Sequence, residues 1–223
     1  MNIERSAHFV QRARWHAALS DPVRLAVVAE LSVGDKSPGE LQDVLDLSSN
    51  LLSHHLTVLR DAGIVARRRS EGDRRRTYLT LTDRTAIGDR EPHIDADRVL
   101  FVCSANSARS QLAAALWGQV SAVPVASAGT RPADHVAAGA RAVAERRGLT
   151  LIGSGPQRFA DVASSRDLVV AVCDNAYEEL GDAVSVHWSV PDPVRAGDDT
   201  AFDAAYAEIS RRVGDLAPRL LAS

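Results

Sequence analysis

Aromatic residues are scarce in this 223-residue chain, at 4%. Its cores must therefore be built from Val, Leu and Ala. Cysteine is nearly absent: Cys103 and Cys173 are the whole supply. Two cysteines cannot form a disulfide framework or a paired-cysteine metal knuckle, so no metal site is expected and a reducing, cytoplasmic setting is. No apolar run approaches the ~20 residues of a membrane span, so no membrane partner is expected. The first twenty residues carry Glu4 and scattered Arg around no apolar core, unlike a secretory signal. Lysine is almost missing too, Lys36 being the only one among 26 basic residues. No internal repeat is visible. What remains is ordinary, 45% apolar and 25% charged, which excludes disordered and low-complexity chains. At ~100–200 residues per domain, the length allows one large domain or two small ones.

Charge divides the chain. Residues 1–90 hold 14 basic against 12 acidic side chains, whereas residues 91–223 hold 12 against 17. The basic excess is concentrated: six Arg (67, 68, 69, 74, 75, 76) oppose only Glu71 and Asp73 within ten residues. Between residues 82 and 97 the sequence is polar, aperiodic and punctuated by Gly88 and Pro92, which reads as a linker. The expected organisation is a domain over 1–83, a linker over 84–97 and a domain over 98–223.

In the first domain a helix is expected over 4–19, with Phe9, Val10, Ala13 and Ala17 on one side. Ser20-Asp21-Pro22 reads as a stop followed by a capped restart. Ser37-Pro38-Gly39-Glu40 fits a capping box that opens a short helix. A longer helix, about 49–62, places Leu51, Leu52, Leu56, Val58 and Leu59 on an apolar side. Asn50, Ser53, His54, Thr57 and Arg60 fall opposite, and Ser49, Asn50, Ser53, His54 and Thr57 are the candidate base contacts. Strands over 64–69 and 74–81, turning at Glu71-Gly72-Asp73, complete a mainly α winged helix-turn-helix. Arg68, Arg69, Arg74, Arg75 and Arg76 on this wing suit a DNA phosphate backbone, and the polar helix face suits the major groove. Adjacent histidines point about 100° apart on a helix, so His54 and His55 cannot chelate one metal. His54 is expected to face DNA and His55 the packing.

Several strings over residues 10–82 carry a family resemblance: Ser20-Asp21-Pro22-Val23-Arg24-Leu25, Glu40-Leu41, Leu52-Ser53-His54-His55-Leu56 and Leu59-Arg60-Asp61-Ala62-Gly63-Ile64-Val65. On these residues the domain resembles the ArsR-type winged-helix repressors. The resemblance implies operator DNA as partner and a homodimer reading two half-sites, with the 4–19 helix carrying the dimer. Members that sense arsenite in the third helix carry Cys after the Glu-Leu pair. Gln42, Asp43 and Val44 stand there, so no such site can form.

In the second half, strands alternate with helices, implying an α/β domain around a parallel sheet with its site at strand carboxyl ends. An apolar run over 98–102 ends at Cys103, followed by Ser104-Ala105-Asn106-Ser107-Ala108-Arg109-Ser110-Gln111 and a helix. A strand, a loop of small residues and a helix start gather backbone N–H groups around one point, which is an anion site. Residues 104–110 are thus the expected oxyanion cradle, and Arg109 adds a planar fork. An ordinary thiol of pKa ~8.5 is only about 3% ionised at pH 7. The cradle should lower that value and make Cys103 a nucleophile. Asp192, in Val190-Pro191-Asp192-Pro193, is the candidate acid for the leaving group; a turn-forming Asp is the plain alternative.

Cys103-x5-Arg109-Ser110, Ser127-Ala128-Gly129-Thr130, Asp167-Leu168-Val169-Val170 and Asp192-Pro193 together resemble the low-molecular-weight protein tyrosine phosphatase superfamily. That implies a three-layer domain with a parallel four-stranded sheet over 98–222. Asn106-Ser107 and Ser110-Gln111 are similar to its arsenate reductase branch, and Val194 and Arg195 replace the aromatics that hold a phenol ring. The resemblance therefore implies arsenate, rather than phosphotyrosine, attacked by Cys103. Cys173 matches a resolving thiol of that branch, though a buried inert Cys is equally open. The expected third thiol would fall at Leu180. Ala114 replaces an acidic residue that helps hold a cation. No tightly bound cofactor is implied, only an external reductant: thioredoxin, or a small thiol with a glutaredoxin-like partner. Three functions remain: a regulator fused to an arsenate reductase, a non-enzymatic oxyanion sensor controlling DNA binding, and a phosphatase.

Overall fold

The computed structural model describes residues 7–82 and 94–221 and divides the chain into two compact units. The start of the expected first helix and most of the expected linker lie outside the described residues. No helix among the described residues is long and apolar enough to cross a membrane.

The first unit contains α1 (Ala7–Ala18), α2 (Pro22–Val33), α3 (Pro38–Leu45), α4 (Ser49–Asp61) and an antiparallel hairpin of β1 (Val65–Arg69) and β2 (Thr77–Leu81). Its helix starts follow the capping chemistry. Asp21 accepts the Arg24 amide at 3.0 Å ahead of Pro22. Ser37 and Glu40 form the reciprocal box, with the Ser37 amide donating to Glu40 at 2.6 Å. Ser48 caps α4. Val27, Leu31, Leu41, Leu52, Leu59 and Ile64 are fully buried, each contributing about 1.5–3 kcal/mol over exposure. Gln11 and Trp15 of α1 donate to the Ala62 carbonyl at 2.8 and 3.0 Å, tying the first helix to the end of α4. Two expected apolar faces differ. Phe9 and Val10 are exposed on α1, and Leu51, expected in the core, is 44% exposed on the first turn of α4. The core side of α4 is filled by Leu52, His55, Leu56 and Leu59, which leaves Leu51 on the outer face.

The second unit is built on a parallel sheet of β4 (Arg98–Cys103), β5 (Val125–Gly129), β6 (Asp167–Ala171) and β7 (Val186–His187), in the order β5-β4-β6-β7. Val99 through Cys103 are all buried, as a central parallel strand requires. The next strand in sequence lies on one side of β4 and the following one on the other. The carboxyl end of β4 is therefore the point where strand order reverses and where ligands bind. Helix α5 (Arg109–Val120) packs on β4 and β5, and α10 (Asp199–Leu216) packs on α5. The remaining helices are α6 (Ala138–Arg146), α7 (Phe159–Val162), α8 (Asp174–Leu180) and α9 (Pro193–Ala196). The scarce aromatics are concentrated here: Phe101 lies between Trp117 and Trp188, at ring distances of 5.8 and 5.7 Å.

Three boundaries differ from expectation. A short strand β3 (Ile94–Asp95) pairs in parallel with β8 (Leu220–Leu221), so residues 94–97 belong to this unit rather than to the linker. The pattern over 183–188 predicts a strand, yet β7 is only two residues long and its expected first residue, Ala183, ends a 3-10 turn. The pattern over 134–147 predicts a helix closed by Gly148, yet α6 starts at Ala138, because the preceding backbone is engaged elsewhere, at the cradle.

Candidate active site and nucleic-acid interface

The loop after β4 closes around Cys103 with its carbonyls turned outward. Thr130 N–H donates to the Cys103 carbonyl at 3.1 Å, Arg131 to Ser104 at 2.8 Å, Ala133 to Ala105 at 2.9 Å and Ala137 to Ser107 at 2.8 Å. Each peptide is a trans plane, so an outward carbonyl leaves the next residue's N–H facing inward. Residues 130–137 thus aim the amides of Ser104, Ala105, Asn106 and Ala108. Gly129 makes the close approach feasible: a Cβ there would meet the Ser104 carbonyl oxygen at 2.7 Å and the Asn106 nitrogen at 2.9 Å.

Side chains complete the ring. Asn106 adopts a left-handed backbone (φ 49°) and donates its N–H to Cys103 Sγ at 3.2 Å. Its side chain is fully buried; Nδ2 donates to Ser110 Oγ at 2.8 Å and to Ser127 Oγ at 3.0 Å. Ser110 Oγ lies 3.1 Å from Cys103 Sγ. An ionised sulfur only accepts, so with Cys103 as a thiolate this hydroxyl donates to it. Cys103 therefore sits at the carboxyl end of a strand, at a helix N-terminus, with the Asn106 amide and the Ser110 hydroxyl against its sulfur.

Arg109 is buried and donates to the Val190 carbonyl at 2.9 Å, and it lies 3.2 Å from Asp192 Oδ2. Burial opposes its charge, but the sulfurs of Cys173 and Cys103 and the Asp192 carboxylate outweigh that and raise its pKa. Asp192 takes the turn-forming place and also faces the site. One oxygen faces Arg109, while the other accepts the Val194 amide at 3.1 Å and caps α9. Cys103, Ser104, Ala105, Ser107, Ala108, Arg109, Asp192 and Val194 line a cavity of about 80 Å³. Drug-sized ligands occupy pockets of roughly 300–1,000 Å³, so the enclosed part suits a small tetrahedral oxyanion.

Cys173, at the N-cap of α8, is buried, with Sγ 3.6 Å from Ser104 Oγ. Burial pushes its thiol up, Arg109 pulls it down, and Cys103 pushes it up again; the net is above the ordinary thiol range. The chain thus brings Cys103, residues 104–110, Arg109, Asp192 and Cys173 into one locality. Composition and spacing did not point to three other contributors. Ser127 reaches in from β5 and residues 130–137 support the loop. A buried pair, Asp174 Oδ1 to His187 Nε2 at 3.0 Å, ties the start of α8 to β7. Burial pushes Asp174 up, yet the His187 hydrogen bond holds it below the usual carboxylate range. A long-range hydrogen bond leaves no spacing signal in the sequence. Among the described residues, no group of three or more His, Cys, Asp or Glu could hold a metal ion.

In the first unit, Ser49, Asn50, Ser53, His54 and Thr57 share the exposed face of α4. His55 is buried, 3.6 Å from Asp21. Arg69, Arg74, Arg75 and Arg76 are exposed on the wing, and Arg68 is half-buried. Arg67 and Arg69 brace the hairpin, by bonds to the Thr77 hydroxyl at 3.2 Å and to the Arg74 carbonyl.

Residues 98–223 match the family model of low molecular weight phosphotyrosine protein phosphatases, and residues 19–68 match a helix-turn-helix domain. The uncharacterized HTH-type transcriptional regulator YceK of Bacillus subtilis (strain 168) is 37% identical over 76 residues, 33% of this chain and 73% of that protein. The biofilm growth-associated repressor of Xylella fastidiosa (strain Temecula1 / ATCC 700964) is 46% identical over 52 residues, 23% of this chain. The match spans 46% of that repressor, so this chain covers about half the length of such relatives. Among solved structures, the tyrosine phosphatase Wzb from Escherichia coli K30, in complex with sulphate, shares 26% identity at a TM-score of 0.50. That match covers 55% of this chain and 97% of Wzb. An arsenate reductase from Archaeoglobus fulgidus DSM 4304 shares 28% identity at a TM-score of 0.47, over 54% of this chain and 98% of that one.

Proposed function

We propose, for a chain that belongs to the low molecular weight phosphotyrosine protein phosphatase family through residues 98–223 and to the ArsR-like helix-turn-helix regulators through its first unit, that it joins an operator-binding regulator to a thiol-dependent arsenate reductase. The observation that carries the reductase reading is the second thiol. Cys173 lies against the cradle, 3.6 Å from Ser104 Oγ, and acts on the same guanidinium as Cys103. Ester hydrolysis needs one thiol. Reduction of arsenate needs two electrons, which a pair of thiols can supply. The exposed Val194 and Arg195 after Asp192-Pro193 also support a substrate without an aromatic ring.

In this reading the Cys103 thiolate attacks arsenic and an As–O bond breaks. The oxygen departs as water with a proton from Asp192, while the cradle amides and Arg109 hold the remaining oxygens. Cys173, once deprotonated, attacks the Cys103 sulfur. An S–S bond forms, the As–S bond breaks, and its electron pair stays on arsenic, which leaves as arsenite. Two electrons and two protons from thioredoxin, or from a small thiol with a glutaredoxin-like partner, restore both thiols. The first unit acts as a homodimer, with α4 in the major groove and the wing arginines on phosphate.

The test is steady-state arsenite production by the full chain with each thiol relay. Cys103→Ser abolishes it, and Cys173→Ser stops after a Cys103–arsenic adduct visible by mass spectrometry. Full turnover by Cys173→Ser refutes the two-thiol reading. Efficient cleavage of phosphotyrosine peptides with arsenate untouched replaces it by a phosphatase, a reading favoured by the likeness to Wzb.

A further inference from the structure

The Cys103 sulfur is served by a directed chain of hydrogen bonds that begins at Gln111. The amide of Asn106 has its orientation settled by a backbone donor: Gln157 N–H gives to Oδ1 at 2.8 Å, so that atom is the oxygen. Gln111, one turn into α5 and 1% exposed, gives its Nε2–H to the same oxygen at 3.2 Å. With Nδ2 giving to Ser110 and Ser127, all four hydrogen-bonding positions of the Asn106 amide are filled. With Cys103 as the nucleophilic thiolate, which can only accept, donation runs one way: Gln111 to Asn106, Asn106 to Ser110, Ser110 to the sulfur. Chains aligned in one sense polarise each other, each donor strengthening the next.

We infer that Gln111 is a positioning residue for the nucleophile, holding the left-handed Asn106 and, through it, both donors on Cys103. Gln111 does not touch the cavity lined by Cys103 and Asp192. Its role rests on the reading of Cys103 as the nucleophile but not on which oxyanion is attacked. On its other side Gln111 lines a separate cavity of about 230 Å³, shared with Asp134, His135 and Arg141. The ionisable groups acting on the sulfur side are Arg109 and Cys173, with Asp192 and Glu71 acting on Arg109.

The substitution Gln111→Met keeps the volume and removes the donor; Gln111→Glu offers a donor only when its carboxyl is protonated. The readout is alkylation of Cys103 in the full chain by iodoacetamide across pH, quantified on the Cys103 peptide by mass spectrometry. Losing one hydrogen bond of ordinary strength should lower the alkylation rate at neutral pH about fivefold for Gln111→Met and move the half-maximal pH upward. Gln111→Glu should approach the unsubstituted rate profile in acid and fall away from it as its carboxyl ionises. A purely structural Gln111 would lower the melting temperature of both variants and leave the half-maximal pH in place. That result overturns the inference, as does an unchanged profile in variants that melt normally. Absence of arsenate reduction, with these shifts present, would fault the substrate and not the positioning role.

Discussion

Gly129→Ala is the sharpest test of how the cradle is shaped. The new methyl would meet the Ser104 carbonyl oxygen at 2.7 Å, the Asn106 nitrogen at 2.9 Å and the Ala105 carbonyl carbon at 3.1 Å. All three are backbone atoms, so no side-chain rotation relieves the contact. Gly129 is not among the glycines with positive φ, so alanine carries no strain of its own there. Replacing glycine even favours folding by about 0.4–1 kcal/mol through the unfolded chain. Overpacking costs about 1–3 kcal/mol, so the clash prevails, but only just. The loop must move, and with it the amides aimed at the oxyanion. Losing one such donor costs roughly 10²–10³ in turnover, and a displacement near 1 Å costs about 10². The expected outcome is thus kcat/KM for arsenate lowered on the order of 10²-fold, with the melting temperature down by only a few °C. Steady-state kinetics beside calorimetry measures both. A Gly129→Ala protein with unchanged activity and unchanged affinity for phosphate would refute the argument that this approach sets the cradle.

Other consequences are simpler to state. Asp192→Asn should reduce turnover by roughly 10²–10⁴ while Cys103 still reacts with iodoacetamide, which separates acid catalysis from thiol activation. Burial pushes Asp167 up, but the Arg98 fork at 2.7–2.8 Å and the Ser164 amide hold it below its ordinary value. Its stabilising contribution is therefore complete above the unfolded carboxyl pKa of ~3.9 and is lost as pH falls through the lower folded value. Arg98→Ala should cost about 3 kcal/mol at neutral pH in urea melts, and lose less on acidification than the parent chain. On DNA selected from a random pool, Arg75→Ala should weaken binding evenly across sequences. It should reduce the salt slope by about 0.9, whereas Asn50→Ala should change which sequences are preferred.

Local chemistry explains what could be read in advance. Asp21, Ser37 and Glu40 act within three residues of the amides they cap, so both helix starts were visible in the string. The strand, small-residue loop and helix start around Cys103 are likewise contiguous, and the 104–110 cradle could be seen without coordinates. Contributions made across long separations were not. Ser127, Gln157 and residues 130–137 join the site through bonds whose partners lie 21 or more residues away. The start of α6 differs from the local pattern for the same reason. Residues 134–137 have helix-compatible composition, yet Ala133 and Ala137 give their N–H groups to the cradle. Leu51 reads as part of the apolar side of its helix, yet its place on the first turn of α4 faces outward.

The outward carbonyls bear on transplantation. The Cys-to-Arg segment holds the reacting atoms, but the direction of its amides is imposed by a stretch beginning some twenty residues downstream. Grafting residues 103–110 alone onto another strand-and-helix scaffold would deliver the right groups with nothing to orient them. Moving them together with residues 129–137 would carry the orientation as well.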